Sequence, residues 1–230
     1  MGALAHDHTA IINSRTMYQK NVHDPSAYKF KAIKSSTNKK LGKKVTKGKL
    51  SGASIYTLTL EERATCAQEC EHWRDCYGNN MPFAHRLQAT TALYTLLDND
   101  LDALDKKKHL VYLIRLHVLG DFFSIAYVDY WEKQLETRPK LNIYGYTRYH
   151  VTMKDQKEAA IGMAIDRLRM KYPNRFMVRF SNDTSKPFSA HSAEISRAGI
   201  ACPVQEDKTD SCGTCGLCWT VNKPIIFETH

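Results

Sequence analysis

Seven cysteines in two short stretches are the residues of this 230-residue chain whose type and spacing best suit chemistry. TCAQECEHWRDCYG (65–78) spaces Cys66, Cys70 and Cys76 as C-x3-C-x5-C. CPVQEDKTDSCGTCGLC (202–218) spaces Cys202, Cys212, Cys215 and Cys218 as C-x9-C-x2-C-x2-C. An odd count in a chain of cytosolic character argues against a disulfide framework, because thiols stay reduced there. Clustering of this kind points to metal. Four thiolates complete either a tetrahedral zinc or a cubane iron–sulfur cluster, and the C-x2-C-x2-C run has the tight spacing of a cubane site. Gly213 and Gly216 would let the backbone fold closely around it. Three thiolates are one ligand short. A 4Fe–4S cluster held that way leaves one iron open to an outside ligand, whereas His72, inside the first loop, could complete a Cys3His zinc site instead. Alternatively, Cys202 joins the first set and the other loop is the open one. Metal that merely staples loops, with no reactivity, explains the same spacings.

Other polar clusters recur after apolar runs. RLHVLGDFFS (115–124) contains Arg115, His117, Gly120 and Asp121. In an extended strand Arg115 and His117 would share a face. Gly120 would admit a ligand close to the backbone, and Asp121 could hold an amino or hydroxyl group. YGYTRYH (144–150) supplies Tyr144, Tyr146, Thr147, Arg148 and His150, and RFSNDTS (179–185) supplies Ser181 and Asn182. We take Arg115, His117, Asp121 and Arg148 as candidate catalytic residues. Tyr77, Gly120, Asp121, Tyr146, Thr147, Ser181 and Asn182 are candidates for cofactor binding. Taken singly, each has a plainer explanation: a satisfied buried histidine, core tyrosines, turn chemistry at Asn182-Asp183. Their shared place after successive strands makes the case. A metal-dependent hydrolase using His117, Asp121 and His150 is a further alternative. The chain has no P-loop, GxSxG elbow, HExxH or GxGxxG motif.

The elements that must position these residues alternate. Strands are expected over 53–60, 109–119, 141–147, 175–181 and 199–202, with a weaker one over 224–230. Helices are expected over 82–104, 127–137 and 154–172, where apolar residues recur at helical spacing. Such alternation implies an α/β fold, a mainly parallel sheet with crossover helices, in the form of a partial or reduced TIM-like barrel. Its ligand site belongs at the C-terminal edge of the strands. Three regions follow: an irregular lysine-rich extension over 1–50, an α/β core over 51–201, and a cysteine-rich metal-binding segment over 202–230 packed on the core.

Hydrophobic residues make up 43% and charged residues 25% of the chain, the balance of a soluble globular protein. No apolar run approaches the roughly 18 residues that span a bilayer, and the N-terminus lacks the basic-then-apolar pattern of a secretory signal. A cytoplasmic location, without membrane association, is expected. The net charge of +9 is local, since residues 31–49 hold eight lysines and no acid, and the rest sums to about +1. Lys39, Lys40, Lys43, Lys44, Lys47 and Lys49 are therefore candidate phosphate-backbone contacts for nucleic acid. That stretch has no aromatic residue to stack on a base, so such contact would be nonspecific. A solvated lysine-rich segment with no partner is the plainer reading.

The ordered series NKKLG, YTLTLEERATC, CYGNNMPFAHR, RLHVLGDFFS, YGYTRY, RFSNDT, ACP and CGTCGLCW resembles the phage-associated "gene product eighty-eight" proteins over residues 38 to 230. That resemblance implies a phage context and brings no activity with it. Three cysteines after the first strand and Gly-Asp after the second are also distantly similar to radical S-adenosylmethionine enzymes. That likeness implies Cys66, Cys70 and Cys76 as ligands of a 4Fe–4S cluster, Gly120 and Asp121 at the cofactor's amino group, and an auxiliary cluster on the second cysteine set. The usual C-x3-C-x2-C spacing is not met, and Tyr77 follows the last cysteine where an aromatic would normally precede it.

Overall fold

The computed structural model describes residues 2–228. Thr229 and His230, the tail of the strand expected over 224–230, lie outside them.

Strand periodicity gives the sheet two different faces. β3 (Ser54–Thr57), β5 (Tyr112–Leu116), β6 (Leu141–Thr147) and β7 (Phe176–Ser181) pair in parallel. Alternate residues therefore point to opposite sides. Tyr112, Ile114, Ile143, Phe176 and Val178 enter one core, where three helices lie. Ile55, Leu113, Tyr144 and Met177 enter a second, smaller core on the other face.

Each helix forms because it presents an apolar stripe to the first core. α2 (Ala92–Asp105) buries Leu93, Leu97, Leu101 and Leu104. α3 (Ile125–Thr137) starts where the Ser124 hydroxyl accepts the Tyr127 N–H, and buries Tyr127, Val128, Trp131 and Leu135. α4 (Gln156–Lys171) is capped by the Asp155 carboxylate, which accepts from Lys157 and Glu158 N–H. Among the described residues no helix is long and apolar enough to cross a membrane.

Shorter elements complete the chain: α1 (Thr9–Ile12), β1 (Val22–His23), β2 (Lys34–Ser35), β4 (Arg86–Leu87), β8 (Ser189–Ser192), β9 (Ile200–Ala201), α5 (Cys212–Cys215), α6 (Leu217–Thr220) and β10 (Ile225–Phe227). β1 and β4 form a two-stranded ribbon. The other eight strands form one sheet in the order β2-β3-β5-β6-β7-β8-β10-β9. Every pairing in that sheet is parallel except β2 with β3. From β3 to β8 the spatial order is the chain order, so the crossover helices fall on one face, as in a barrel wall. The sheet nevertheless stays open, with β2 and β9 as its edges.

Two expectations change. The helix expected over 82–104 begins only at Ala92, because Arg86 and Leu87 are extended. Leu87 exchanges backbone hydrogen bonds with Thr59 and Glu61, and Arg86 is drawn inward by buried Glu62. The lysine-rich stretch is irregular in backbone but built into the molecule. Leu41, Val45 and Leu50 enter the second core beside Trp219. Cys212 N–H donates to the Lys40 carbonyl, Gly213 N–H to that of Leu41, and Thr46 N–H to that of Gly213.

Candidate functional site

The segment leading into the first cysteine loop is charged and almost wholly buried: Glu61, Glu62 and Arg63 are 1%, 1% and 2% exposed. Glu62 is paired with Arg86 at 2.7 Å and accepts the Thr16 hydroxyl at 2.6 Å. Arg63 donates to the Trp73 carbonyl and to the Asn79 side chain, while Asn79 donates to the Arg74 carbonyl. This network pins both ends of the loop, and no periodicity marks it in advance. Its only trace in the sequence is the run EER ahead of Cys66.

On that base Cys66, Cys70 and Cys76 come within electrostatic reach of one another. Burial is the main cause that raises all three thiol pKa values, that of Cys70 up to about 11, and Asp121 adds to the effect at Cys66 and Cys70. On the opposite face of the sheet, where the short α5 and α6 pack, Cys202, Cys212, Cys215 and Cys218 line one recess. Burial again dominates, pushing Cys212 up to about 12 and raising Cys218. Cys202 thus stands with the second set, and the cysteines divide three and four. His72 is an exposed residue of the loop whose ring pairs through Nδ1 with Asp75 at 3.3 Å. Among the described residues no three His, Cys, Asp or Glu side chains converge tightly enough to hold a single metal ion. A tetrahedral zinc needs sulfurs at about 2.3 Å from one centre. A cubane carries its thiolates on four separate irons and so spreads them further apart.

Most of the remaining candidates hold the first loop in place. The Arg148 guanidinium pairs with Glu71 at 3.1 Å and donates to the carbonyls of Glu69 and Ser181. Asn182 donates its amide to the same Glu71 carboxylate and accepts the Ser192 N–H. Ser181 also accepts from His150 at 2.6 Å. Asp121 accepts the N–H groups of Phe122 and Arg148, both at 2.7 Å, and its own N–H donates to the Thr65 hydroxyl. Burial pushes its carboxyl up to about 7, against those hydrogen bonds and one with Thr147. A side chain on Gly120 (φ +82°) would come within 2.5 Å of the Thr65 hydroxyl, so this glycine allows close packing against the cysteine loop. Thr147 also accepts the Tyr149 N–H, and the Tyr149 hydroxyl reaches the Thr65 carbonyl.

Arg115 and His117 do not share a face. β5 ends at Leu116, and His117 turns into the helix-side core against Phe122 and Tyr127, its Nε2 3.0 Å from the Tyr127 hydroxyl. This removes His117 from the expected catalytic set and from the hydrolase alternative. Arg115 stays on the opposite face, with Tyr144 and Tyr146 of β6 beside it and Tyr77 and Cys212 nearby. Tyr146 donates to Cys218 Sγ at 3.1 Å, and half-exposed Tyr77 donates to the Val118 carbonyl at 2.8 Å. Lys39, Lys40, Lys43, Lys44, Lys47 and Lys49 are all exposed.

Fold and site define an α/β protein whose parallel sheet carries one cysteine loop after its first parallel strand and a second cysteine cluster on the face opposite the three long helices. Residues 30–221 match the family described as "Gene product 88", and the chain belongs to that family. It is similar to the "Gene 88 protein" of Mycobacterium phage L5, with 28% identity over 138 residues, covering 51% of this chain and 54% of that protein. The match thus spans about half the length of the curated relative. No solved structure matches the chain.

Proposed function

We propose that this is an iron–sulfur protein with two cysteine-held clusters, and that the three-cysteine site uses its open iron to bind a small molecule. The observation carrying this reading is the division of the cysteines into a three and a four, with Cys202 lining the recess of the second set. Cys202, Cys212, Cys215 and Cys218 would hold a closed cluster. Cys66, Cys70 and Cys76 would hold one that lacks a fourth protein ligand. The position after the first strand of a sequentially ordered parallel sheet supports a radical S-adenosylmethionine-like enzyme. The cofactor would supply the one-electron chemistry, and the chain's part is to fix the loop and shield it from water. Asp121 contributes to that by tying the β5 and β6 loops beneath the cysteines. Its carboxylate already accepts backbone N–H groups, so an amino-group contact would have to displace one of them.

Anaerobic purification with iron and sulfide analysis, followed by a spin-resonance spectrum with and without S-adenosylmethionine, tests this. About four irons and four sulfides per cluster are expected, with a cofactor-dependent change in the reduced signal. Stoichiometric zinc without sulfide would overturn it. That outcome favours a second reading, a noncatalytic nucleic-acid-binding protein stapled by metal. The observation behind it is six exposed lysines on the segment whose backbone carbonyls seat Cys212 and Gly213.

A further inference from the structure

Four arginines set deep in the molecule spend their guanidiniums on named partners. Arg63 bonds the Trp73 and Arg15 carbonyls and Asn79. Arg86 bonds Glu62 and the carbonyls of Gly78, Met81 and Ala84. Arg148 holds the first cysteine loop, as described above. Arg179 donates to five carbonyls, those of Ser189, Leu217, Cys218, Val221 and Lys223, and so anchors the second cysteine cluster.

Arg115 differs from all of them. It lies near the C-terminal end of β5, in register with Tyr144 of β6. Its Nε is buried without a partner, and so is the Tyr144 hydroxyl. Among the described residues no hydrogen bond or ion pair reaches its guanidinium, and the Tyr146 ring, 5.9 Å away, is its cation–π neighbour. Tyr77 and Cys212 are also near it. No carboxylate is among these neighbours. A guanidinium stays charged at any physiological pH, and a buried donor without an acceptor marks a missing partner. Arg115, Tyr77 and Tyr146 each keep some solvent access.

We propose that Arg115, assisted by the Tyr144 hydroxyl, is a subsite for an oxyanion, the carboxylate or phosphate of a small molecule that sits between the two cysteine clusters. The guanidinium fork suits the two oxygens of either group, and the phenol supplies a third donor. Tyr77 directly follows Cys76, and Cys212 belongs to the second cluster, so a molecule anchored here would lie between the two sites.

Calorimetric titration of the protein as purified, with inorganic phosphate and with succinate as probes, tests the proposal and separates the two anion types. We expect saturable binding of at least one probe, weakened about tenfold or more in Arg115→Gln, weakened less in Arg115→Lys, and weakened several-fold in Tyr144→Phe. Binding of neither probe, or equal binding by Arg115→Gln, would overturn the proposal. If Arg115→Gln fails to fold, Tyr144→Phe decides, because it removes one hydroxyl and keeps the ring. Unchanged binding in Tyr144→Phe would then count against the site. Anion binding is read whichever metal the cysteines hold, so a zinc result above leaves this test intact.

Discussion

At the end of β5 two polar residues two positions apart, Arg115 and His117, take opposite faces of the sheet, and burial sets the chemistry of His117. His117 is enclosed by Phe122 and Tyr127, and burial pushes its pKa down to about 3. An unfolded histidine titrates near 6.5. Above that pH both states hold the ring neutral, so its contribution to stability is fully present. As pH falls from about 6.5 towards 3, the unfolded chain takes up a proton that the folded ring refuses, and stability is lost. The loss from this residue should approach roughly 4 kcal/mol at the acid end. Asp121, whose carboxyl burial raises to about 7, gains stability over the same fall in pH, so the His117 contribution is read as the difference between wild type and His117→Gln in urea unfolding at stepped pH. Burial also depresses the pKa of His150 and His191, so the variant should reduce the slope without abolishing it. An unchanged slope would assign the effect to other groups. A second residue-scale expectation concerns Arg86 and Glu62, which are 0% and 1% exposed at the side chain. Arg86→Ala leaves a buried carboxylate without its counterion and should cost about 3–5 kcal/mol in unfolding free energy, measured by the same titration at neutral pH.

At the scale of elements, the first cysteine loop is held from outside. Arg148 and Asn182, which follow β6 and β7, converge on Glu71, while Gln68 N–H donates to Glu158 of α4. Arg148→Ala removes the shared link to the Glu69 and Ser181 carbonyls as well. If the two cysteine sets hold the proposed clusters, the variant should lose metal from the first site and keep it at the second, about half the bound metal per chain, with faster proteolysis within 66–76. Equal loss from both sites would contradict this division of labour. The second cluster depends on close approach instead. A side chain at Gly213 would stand 2.2 Å from the Lys44 carbonyl oxygen, which is backbone and cannot give way. Gly213→Ala should displace α5 and, if that set holds the proposed cluster, release its metal first. These roles explain what the sequence could and could not convey. LNIYGYT and the 154–172 stripe are legible as β6 and α4 because their periods match the faces they bury. SAHS of β8 has no apolar run or alternation to mark it, and it is a strand because β7 and β10 flank it. Arg148 and Asn182 are identifiable as site residues by position, but their partner Glu71 lies 77 and 111 positions away in the chain. No local pattern encodes such a distance.

For the whole molecule, the lysine-rich stretch shows how composition and packing can be read separately. Its charge is legible in the sequence, and so is the near-neutral remainder. Its packing is not, because Leu41, Val45 and Leu50 are spaced irregularly among lysines and carry no period. Their burial arises from long-range contact with Trp219 and the Cys212–Gly213 backbone, and those contacts decide how the charge must be tested. Deleting 31–49 would strip β2 from the sheet edge, open the second core and unseat the second cysteine cluster, so lost nucleic-acid binding would have no single cause. The six lysines at 39, 40, 43, 44, 47 and 49 are exposed, so their charge can be removed while the backbone carbonyls of Lys40 and Lys44 stay in place. Replacing all six with Gln should leave the unfolding midpoint nearly unchanged. If these lysines contact phosphates, affinity for a mixed-sequence duplex should fall. The slope of log affinity against log salt should then flatten by up to about 5, at roughly 0.9 per phosphate contact released. Single-stranded probes should show a smaller change, at roughly 0.7 per contact. A slope unchanged in a variant that stays folded and metal-loaded would mean that these lysines serve solvation alone, and that any nucleic-acid contact lies elsewhere on the molecule.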